Sequence, residues 1–411
     1  MRILCLTDAF WPDQAGGISK AVLFETQELI RMGHEVVVVS RRLSKEAPTK
    51  ERREGFELHR FPAPPVKSAL GPAYPVATIL NLPRVLCALN ASGAFDVAYV
   101  NNVFQARALL RSGIDVPMVY VFHASAYREV SIDIINGRYG KLTALAKLAN
   151  SMVKPIERIV LERADAVIVR SGYMGDEIKS LHGSNRLCAF QQIPLCVDTD
   201  RFPFALDPLA ARRSLGLPGD RRIILTVRRL VARMGLDNLI AAMSLVSKQC
   251  PQSKLLICGT GYLDASLRKA IRERGLDDFV EMPGFVSEEL LPLYYQAADL
   301  FVLPTQAYEG FGMATLEALS CGTPVIVTPV GANPAVVAPL DRRLVAAGTG
   351  AEDIAGAVLR WFDQDGALVP RSTCRSYCVA NFSLRTVCGQ IEAVLNQVRE
   401  AHRLEGRTRL K

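Results

Sequence analysis

Two carboxylates separated by seven residues stand out in the 411-residue sequence, in the segment Glu309-Gly310-Phe311-Gly312-Met313-Ala314-Thr315-Leu316-Glu317. The glycines let a backbone approach a ligand closely, and residues 313–320 read as a helix. The free N–H groups and dipole at its start favour an anion. Carboxylates beside an anion site are tolerable if they accept hydrogen bonds from hydroxyl groups of the same ligand. A sugar joined to a diphosphate offers both features. Taken singly, each residue reads more simply, Glu317 as a solvated helix position and the glycines as turn punctuation. His123, after the apolar run 119–122, is as much a strand-end residue as a site histidine. Gly259-Thr260-Gly261 marks a second turn after an apolar strand, and a lone GxG is weak evidence.

These residues must be held by the elements around them. Residues 3–7 read as a short strand, 8–17 as a loop ending in Gly16-Gly17, and 18–32 as a helix stopped by Gly33. The unalternating run 36–39 marks a strand covered on both faces of a parallel sheet. Strands at 97–100, 117–122 and 166–169 continue the pattern, with helical sequence over 141–164. Residues 196–222, rich in Asp and Pro, read as a connection between domains. Beyond it strands are expected at 223–227, 254–258, 280–282, 300–303 and 324–327. Helices are expected at 236–250, 263–274, 287–297, 313–320 and 351–361. The fold class is therefore α/β, with two doubly wound Rossmann-like domains facing across a cleft, spanning 1–200 and 201–383. A closing helix over 384–403 is expected to pack back on the first.

Hydrophobic residues make up 49% and charged residues 22%, which excludes a disordered chain and a disulfide scaffold. No run approaches the ~18 apolar residues of a membrane span. The opening Met1-Arg2-Ile3-Leu4-Cys5-Leu6 runs into an acidic loop and reads as a cytosolic start without a leader. The ten cysteines are scattered, form no CxxC pair and read as reduced, mostly buried thiols. A net charge of +8 suits a phosphate-bearing substrate but lacks the dense basic and aromatic patch of a nucleic-acid binder.

The segment 309–317, with what surrounds it, resembles the E-x7-E motif of the GT4 family of retaining glycosyltransferases, which have the GT-B fold. The likeness extends to Gly16-Gly17 and Gly33-His34-Glu35-Val36. It includes Ala164-Asp165-Ala166-Val167-Ile168-Val169-Arg170-Ser171 and Val197-Asp198-Thr199-Asp200-Arg201-Phe202. It also takes in Arg229-Leu230-Val231 through Gly235-Leu236-Asp237-Asn238-Leu239-Ile240. The resemblance implies that Glu309 touches hydroxyls of the transferred sugar, while the Gly310-Phe311-Gly312 backbone approaches sugar and diphosphate. It implies that Glu317 holds the ribose diol and that Arg229 clamps the diphosphate with forked donors. Gly16 and Gly17 would line the cleft, Val286 would meet the base, Gly259 would lie near the nucleotide, and His123 near the sugar's C6 hydroxyl.

One departure matters. The family places a glycine where Arg228 stands and a phosphate-clamping lysine where Met234 stands. Either Arg233 or Arg228 supplies the missing charge or diphosphate stabilisation is weaker than usual, and Arg233, the immediate neighbour of Met234, is the first choice.

The resemblance implies a retaining, front-face transfer of a sugar from a UDP- or GDP-linked donor to an acceptor hydroxyl, with no cofactor. Asp198-Thr199-Asp200 has the spelling of a metal-binding Asp-x-Asp pair, but its place in the connection already matches the family pattern, so no metal is expected. A non-catalytic partner subunit and a sugar-nucleotide epimerase are the alternatives. Acceptor recognition is expected from 61–83 and from a loop over 124–138. Lys141, Lys147, Lys154, Arg158 and Arg163 read first as a solvated helix face and second as a peripheral contact with an anionic membrane. Nothing in the sequence specifies an oligomeric state.

Overall fold

The computed structural model describes residues 1–411 apart from 9, 12, 14–15, 45, 54, 65–72, 136, 138–139, 184–186, 188, 364–368 and 410–411. The chain forms two units, Met1–Pro194 with Val387–Lys411, and Leu195–Thr386. The boundary expected after residue 200 thus falls after 194, and residues 387–411, most of the closing helix that starts at Leu384, group with the first unit.

Unit one is built on strands β1 (Arg2–Leu6), β2 (Glu35–Arg42), β3 (Lys50–Arg53), β4 (Phe56–Pro62), β5 (Val97–Val100), β6 (Met118–Phe122), β7 (Ala166–Val169) and β8 (Phe190–Gln192). They form one sheet in the order β3-β4-β2-β1-β5-β6-β7-β8. Every pairing is parallel except β3 with β4. Val36 to Val39 are buried at each position, as a strand covered on both faces requires. The antiparallel edge strand β3 was not expected, because Lys50-Glu51-Arg52-Arg53 has no apolar face. It is held instead by pairing with β4 and by ion pairs, including the buried Arg60 with Asp13 at 2.6 Å and Glu51 at 2.9 Å. Such a charged edge also discourages pairing with another chain.

The helices of unit one begin with α1 (Gly17–Arg31), α2 (Tyr74–Ala91), α3 (Val103–Ser112) and α4 (Ala126–Ile135). They continue with α5 (Thr143–Ser151), α6 (Val153–Arg163) and α7 (Gly172–His182). Two expectations are corrected here. Residues 126–135, expected as loop, are helical because Ser125 caps them: its Oγ accepts from Arg128 N at 3.1 Å and its carbonyl from Glu129 N at 3.0 Å. The stretch 141–164 is two helices, because Pro155 has no N–H to give the Ser151 carbonyl and its ring excludes that turn. Of the segment expected to help recognise acceptor, 61–83, residues 65–72 lie outside those described. Inside the unit, Arg170 of β7 reaches Glu25 of α1 at 2.7 Å and the Tyr99 hydroxyl of β5 at 3.2 Å, while Tyr99 donates to Glu25 at 2.8 Å. This fully buried triad ties α1 to the centre of the sheet.

Unit two opens with α8 (Leu209–Leu215), inside the stretch read as a connection, and alternates β9 (Arg222–Val227), α9 (Leu236–Gln249), β10 (Ser253–Cys258), α10 (Asp264–Glu273), β11 (Val280–Gly284) and α11 (Leu291–Ala297). It continues with β12 (Leu300–Leu303), α12 (Met313–Ser320), β13 (Val325–Val327), α13 (Asn333–Val337), α14 (Ala351–Asp363) and α15 (Arg371–Phe382). The sheet is wholly parallel, in the order β11-β10-β9-β12-β13. Its core fills with Ile224, Leu239, Met243, Leu255, Ile257, Val302, Val358 and Trp361. A last helix, α16 (Leu384–Arg409), begins in unit two and continues into unit one, where His34 meets Glu392 at 2.7 Å and Arg403 meets Asp96 at 2.8 Å.

Four glycines show how tightly the loops of unit two are stacked. A Cβ on Gly235 would lie 1.8 Å from the Pro304 carbonyl oxygen, and one on Gly259 1.8 Å from that of Arg228. For Gly261 and Gly331 the corresponding carbonyls are Leu230 at 2.3 Å and Glu309 at 2.1 Å. Gly389, inside α16, meets nothing within 4 Å. Gly235→Ala is therefore expected to destabilise by more than ~3 kcal/mol, through positive φ and backbone clash. Gly389→Ala should be neutral or stabilise by about 0.5–1 kcal/mol. Denaturant unfolding of both variants checks this.

Candidate functional site

Unit two gathers its polar groups at the carboxyl ends of its parallel strands, where open α/β sheets hold ligands. The loop after β12 carries Thr305, Tyr308 and Glu309, and ends at Gly312, whose φ of 85° opens α12. Tyr308 has a φ of 56°, the only positive value at a non-glycine among the described residues. Its carbonyl accepts from Arg233 Nη1 at 2.9 Å. The carbonyl of Glu309 accepts from Ala332 N at 3.0 Å. Backbone strain at Tyr308 and the two contacts around it aim the Glu309 side chain.

That carboxylate is nearly enclosed. Its Oε2 accepts from Arg228 Nη2 at 2.6 Å and from Thr305 Oγ1 at 3.0 Å. Its Oε1 takes no hydrogen bond from any described residue. Burial alone would raise its pKa, but the Arg228 guanidinium, the Thr305 hydroxyl and the nearby Arg233 outweigh that and hold it below the usual carboxylate range. Arg228 Nη2 also rests against the Met234 sulfur. Arg228 therefore occupies the space beside Met234 where the lysine of the resembling family was expected. Arg233, the first choice for that charge, lies in a one-turn helix (Ala232–Met234) and serves the Tyr308 backbone. Arg229 is exposed, and its side chain has no partner among the described residues.

The remaining candidates of this unit serve through backbone or through burial. Gly259 donates its N–H to the Gly284 carbonyl at 2.7 Å, and Arg228 N reaches Cys258 O at 2.9 Å, so β9, β10 and β11 deliver their loops together. Gly310 is half-buried. Phe311 turns its ring inward onto Phe382, with centroids 5.9 Å apart, so only its backbone is available to a ligand. Val286 is half-buried just past β11, beside the exposed Phe285. Glu317 is buried and accepts from the Tyr295 hydroxyl at 2.6 Å. Asp198 is engaged as a turn cap, its Oδ1 accepting from Asp200 N and Arg201 N at 3.1 Å each.

In unit one, Gly16 and Gly17 are exposed at the start of α1, with Gly16 as its N-cap at φ 167°. His123 follows β6 and its Nε2 bonds Asn101 Oδ1 at 2.9 Å, at the end of the neighbouring β5. Burial, helped by the Arg170 charge, holds the imidazole well below its ordinary pKa, so it is neutral near pH 7. Gly16, Gly17 and His123 are thus in one unit, and Arg229, Arg233, Gly259, Val286, Glu309–Gly312 and Glu317 in the other.

Sequence reasoning missed Thr305, Tyr308, Tyr295 and Asn101, which orient candidate groups without belonging to any spaced motif. Thr305 alone carried a signal, a hydroxyl placed four residues before Glu309.

Residues 209–374 match the family described as Glycosyl transferases group 1, and residues 15–201 match Glycosyltransferase Family 4. An uncharacterised glycosyltransferase of Methanocaldococcus jannaschii is 38% identical over 338 residues, covering 80% of this chain and 81% of that one. The GDP-mannose-dependent alpha-(1-6)-phosphatidylinositol monomannoside mannosyltransferase of Mycolicibacterium smegmatis is 27% identical over 412 residues, covering 97% and 99%. Among solved structures, sucrose-phosphate synthase from Thermosynechococcus elongatus superposes with a TM-score of 0.80 at 24% identity, covering 97% and 99%. The Anabaena protein HepE in complex with UDP superposes at 0.73 and 19% identity, covering 97% and 100%. At these identities the structural likeness is one of fold.

Met234→Lys alone is expected to cost ~1–3 kcal/mol, since it sets two cations against one carboxylate oxygen. Combining it with Arg228→Gly should recover part of that loss, and thermal unfolding of the three variants reads the coupling. Because the folded pKa of Glu309 is lowered, its contribution is full above about pH 4.3 and is lost as pH falls through the folded value. The stability gap between wild type and Glu309→Gln should therefore be widest above pH ~5 and shrink towards pH ~3.

Proposed function

The chain belongs to the family 4 glycosyltransferases of the GT-B fold, and on that premise we propose that it is a retaining enzyme working by a front-face route without a metal. That it transfers a hexose-type sugar from a nucleotide sugar to an acceptor follows from membership. The stereochemistry, the metal requirement and the roles of individual residues are the proposal.

One observation supports it above the others. Glu309 is kept ionised by Arg228 and Thr305 on one oxygen while its other oxygen takes no hydrogen bond from any described residue. A carboxylate so arranged is an acceptor for sugar hydroxyls at the Gly310-Phe311-Gly312 backbone. The start of α12 suits the diphosphate, and Arg229, exposed and without a side-chain partner among the described residues, is its clamp. Glu317, oriented by Tyr295, holds the ribose diol. Val286 meets the base, and Gly259 lets the nucleotide lie close to the backbone. Within unit one, Gly16 and Gly17 leave the start of α1 open to close approach by a ligand, and neutral His123 offers a hydrogen bond to a sugar hydroxyl.

In the reaction the acceptor oxygen forms its bond to the anomeric carbon on the face from which the bond to the diphosphate oxygen breaks. The acceptor proton passes to that departing oxygen. No carboxylate nucleophile enters, so configuration is retained in a single passage. Arg229, with Arg233 and Arg228 behind it, offsets the charge that gathers on the diphosphate. The Asp198 carboxylate, engaged in its turn, takes no part. The donor base is uracil or guanine.

Arg229→Ala is expected to lower turnover at least ten-fold, ~1.4 kcal/mol of lost transition-state stabilisation, and near-normal turnover would remove it from the leaving-group role. Thermal unfolding with UDP, GDP and ADP, each with magnesium or EDTA, should show one nucleotide stabilising wild type in EDTA but not Glu317→Ala. Stabilisation only with magnesium would overturn the metal-free reading. Donor binding without turnover on any acceptor would mark a binding subunit instead.

A further inference from the structure

Helix α5 is built inside out. Its single buried residue is the polar Asn150. Asn150 Nδ2 donates to the Tyr127 carbonyl at 3.0 Å and the Ser131 hydroxyl at 2.9 Å, hooking the helix onto α4. Its leucines face the other way. Leu142, Leu145, Leu148 and Met152, spaced at three and four residues, are each more than 60% exposed, and Ile135 and Ile159 add to the apolar surface nearby in the chain. An ordinary surface helix puts its apolar stripe against the core and its polar residues in water. A contiguous stripe left outside marks a partner.

The charges beside the stripe identify the partner's chemistry. Lys147, Lys154, Arg158 and Arg163 are exposed along α5 and α6. The acidic residues of these two helices are Glu157, which is buried, and Glu162, which pairs with Arg158 at 2.8 Å. The exposed face is therefore apolar and cationic. A second copy docking on this stripe would set like charges together. An anionic bilayer offers an acyl layer for the leucines and phosphates for the cations. No helix among the described residues is long and apolar enough to cross a membrane.

We propose that the α5–α6 face of unit one docks on an anionic lipid bilayer, with Leu142, Leu145, Leu148 and Met152 seated at the acyl boundary and Lys147, Lys154 and Arg163 against the headgroups. The docked face is coupled to the candidate site of the same unit. Glu157, on the inner side of α6, accepts from Ser125 Oγ at 2.9 Å and Tyr127 N at 3.2 Å, and meets His182 Nε2 at 3.2 Å. Ser125 lies two residues past His123. Seating α5–α6 on a bilayer thus fixes the segment next to His123 relative to the lipid surface, as an acceptor hydroxyl carried on a lipid would require.

The inference goes beyond the transfer reaction and is tested without it, by sedimenting the full chain with vesicles of phosphatidylcholine alone or mixed with phosphatidylglycerol. Binding is expected to the mixed vesicles and to weaken as salt rises. Leu145→Ser with Leu148→Ser should reduce it at least ~ten-fold. Lys147→Glu with Arg163→Glu should do the same without touching the leucines. Nucleotide-induced thermal stabilisation should be unchanged in both variants, which separates lost docking from a lost fold or a failed donor site. Absence of sedimentation with either vesicle, or wild-type sedimentation by both variants, would overturn the proposal. So would a dimer in solution that the leucine variant dissociates, since the stripe would then be occupied by a second copy.

Discussion

A carboxylate almost enclosed by protein stays charged only if something repays the loss of water, and in unit two that is the Arg228 guanidinium 2.6 Å from Glu309. The rest of the site is arranged around this pair. Thr305 supplies a second donor to the same oxygen, Arg233 fixes the strained turn at Tyr308 that aims the side chain, and Ala332 N holds the Glu309 carbonyl from behind. Arg228 is anchored in turn, since its backbone N–H is committed to Cys258 at the end of the adjoining strand. Breaking the pair would leave an uncompensated buried charge on whichever partner remained.

The pair can be held so closely because the loops around it touch through backbone alone. Gly235, Gly259, Gly261 and Gly331 each bring a carbonyl within the space a Cβ would fill, so loops from β9, β10, β12 and β13 interlock. Side chains can change rotamer, whereas backbone contacts of this kind cannot adjust without moving a strand. The geometry presented to a diphosphate is therefore a property of the sheet as much as of individual residues, which is what preorganised electrostatic stabilisation requires.

The parts of this protein legible in its sequence are those where residue type alone carries the physics. Unalternating valines announced a covered strand, and the glycines ahead of Met313 announced the start of a helix. Reading failed where the outcome depends on reach. Arg228 and Arg233 are both long cations near Met234, and only three-dimensional packing decides that Arg228 takes the carboxylate while Arg233 takes a carbonyl. The strand of Lys50-Glu51-Arg52-Arg53 has no apolar pattern because its stability comes from a neighbouring strand and from ion pairs that reach outside it, Glu51 with Arg60 and Arg53 with Asp13. Residues 126–135 read as loop because their cap is one serine, and Pro155 marked a helix break that the surrounding apolar run concealed.

The division of the chain sets an order of assembly on the ribosome. Unit two is continuous from Leu195 to Thr386, but unit one is completed by Val387–Lys411. The first sheet to emerge therefore waits, with His34 and Asp96 lacking their partners Glu392 and Arg403, until the whole of unit two has been made. The unit translated second is the first able to finish folding. A nascent chain halted anywhere in unit two would carry an unfinished first half, exposed to chaperones and proteases for the time that unit two takes to synthesise.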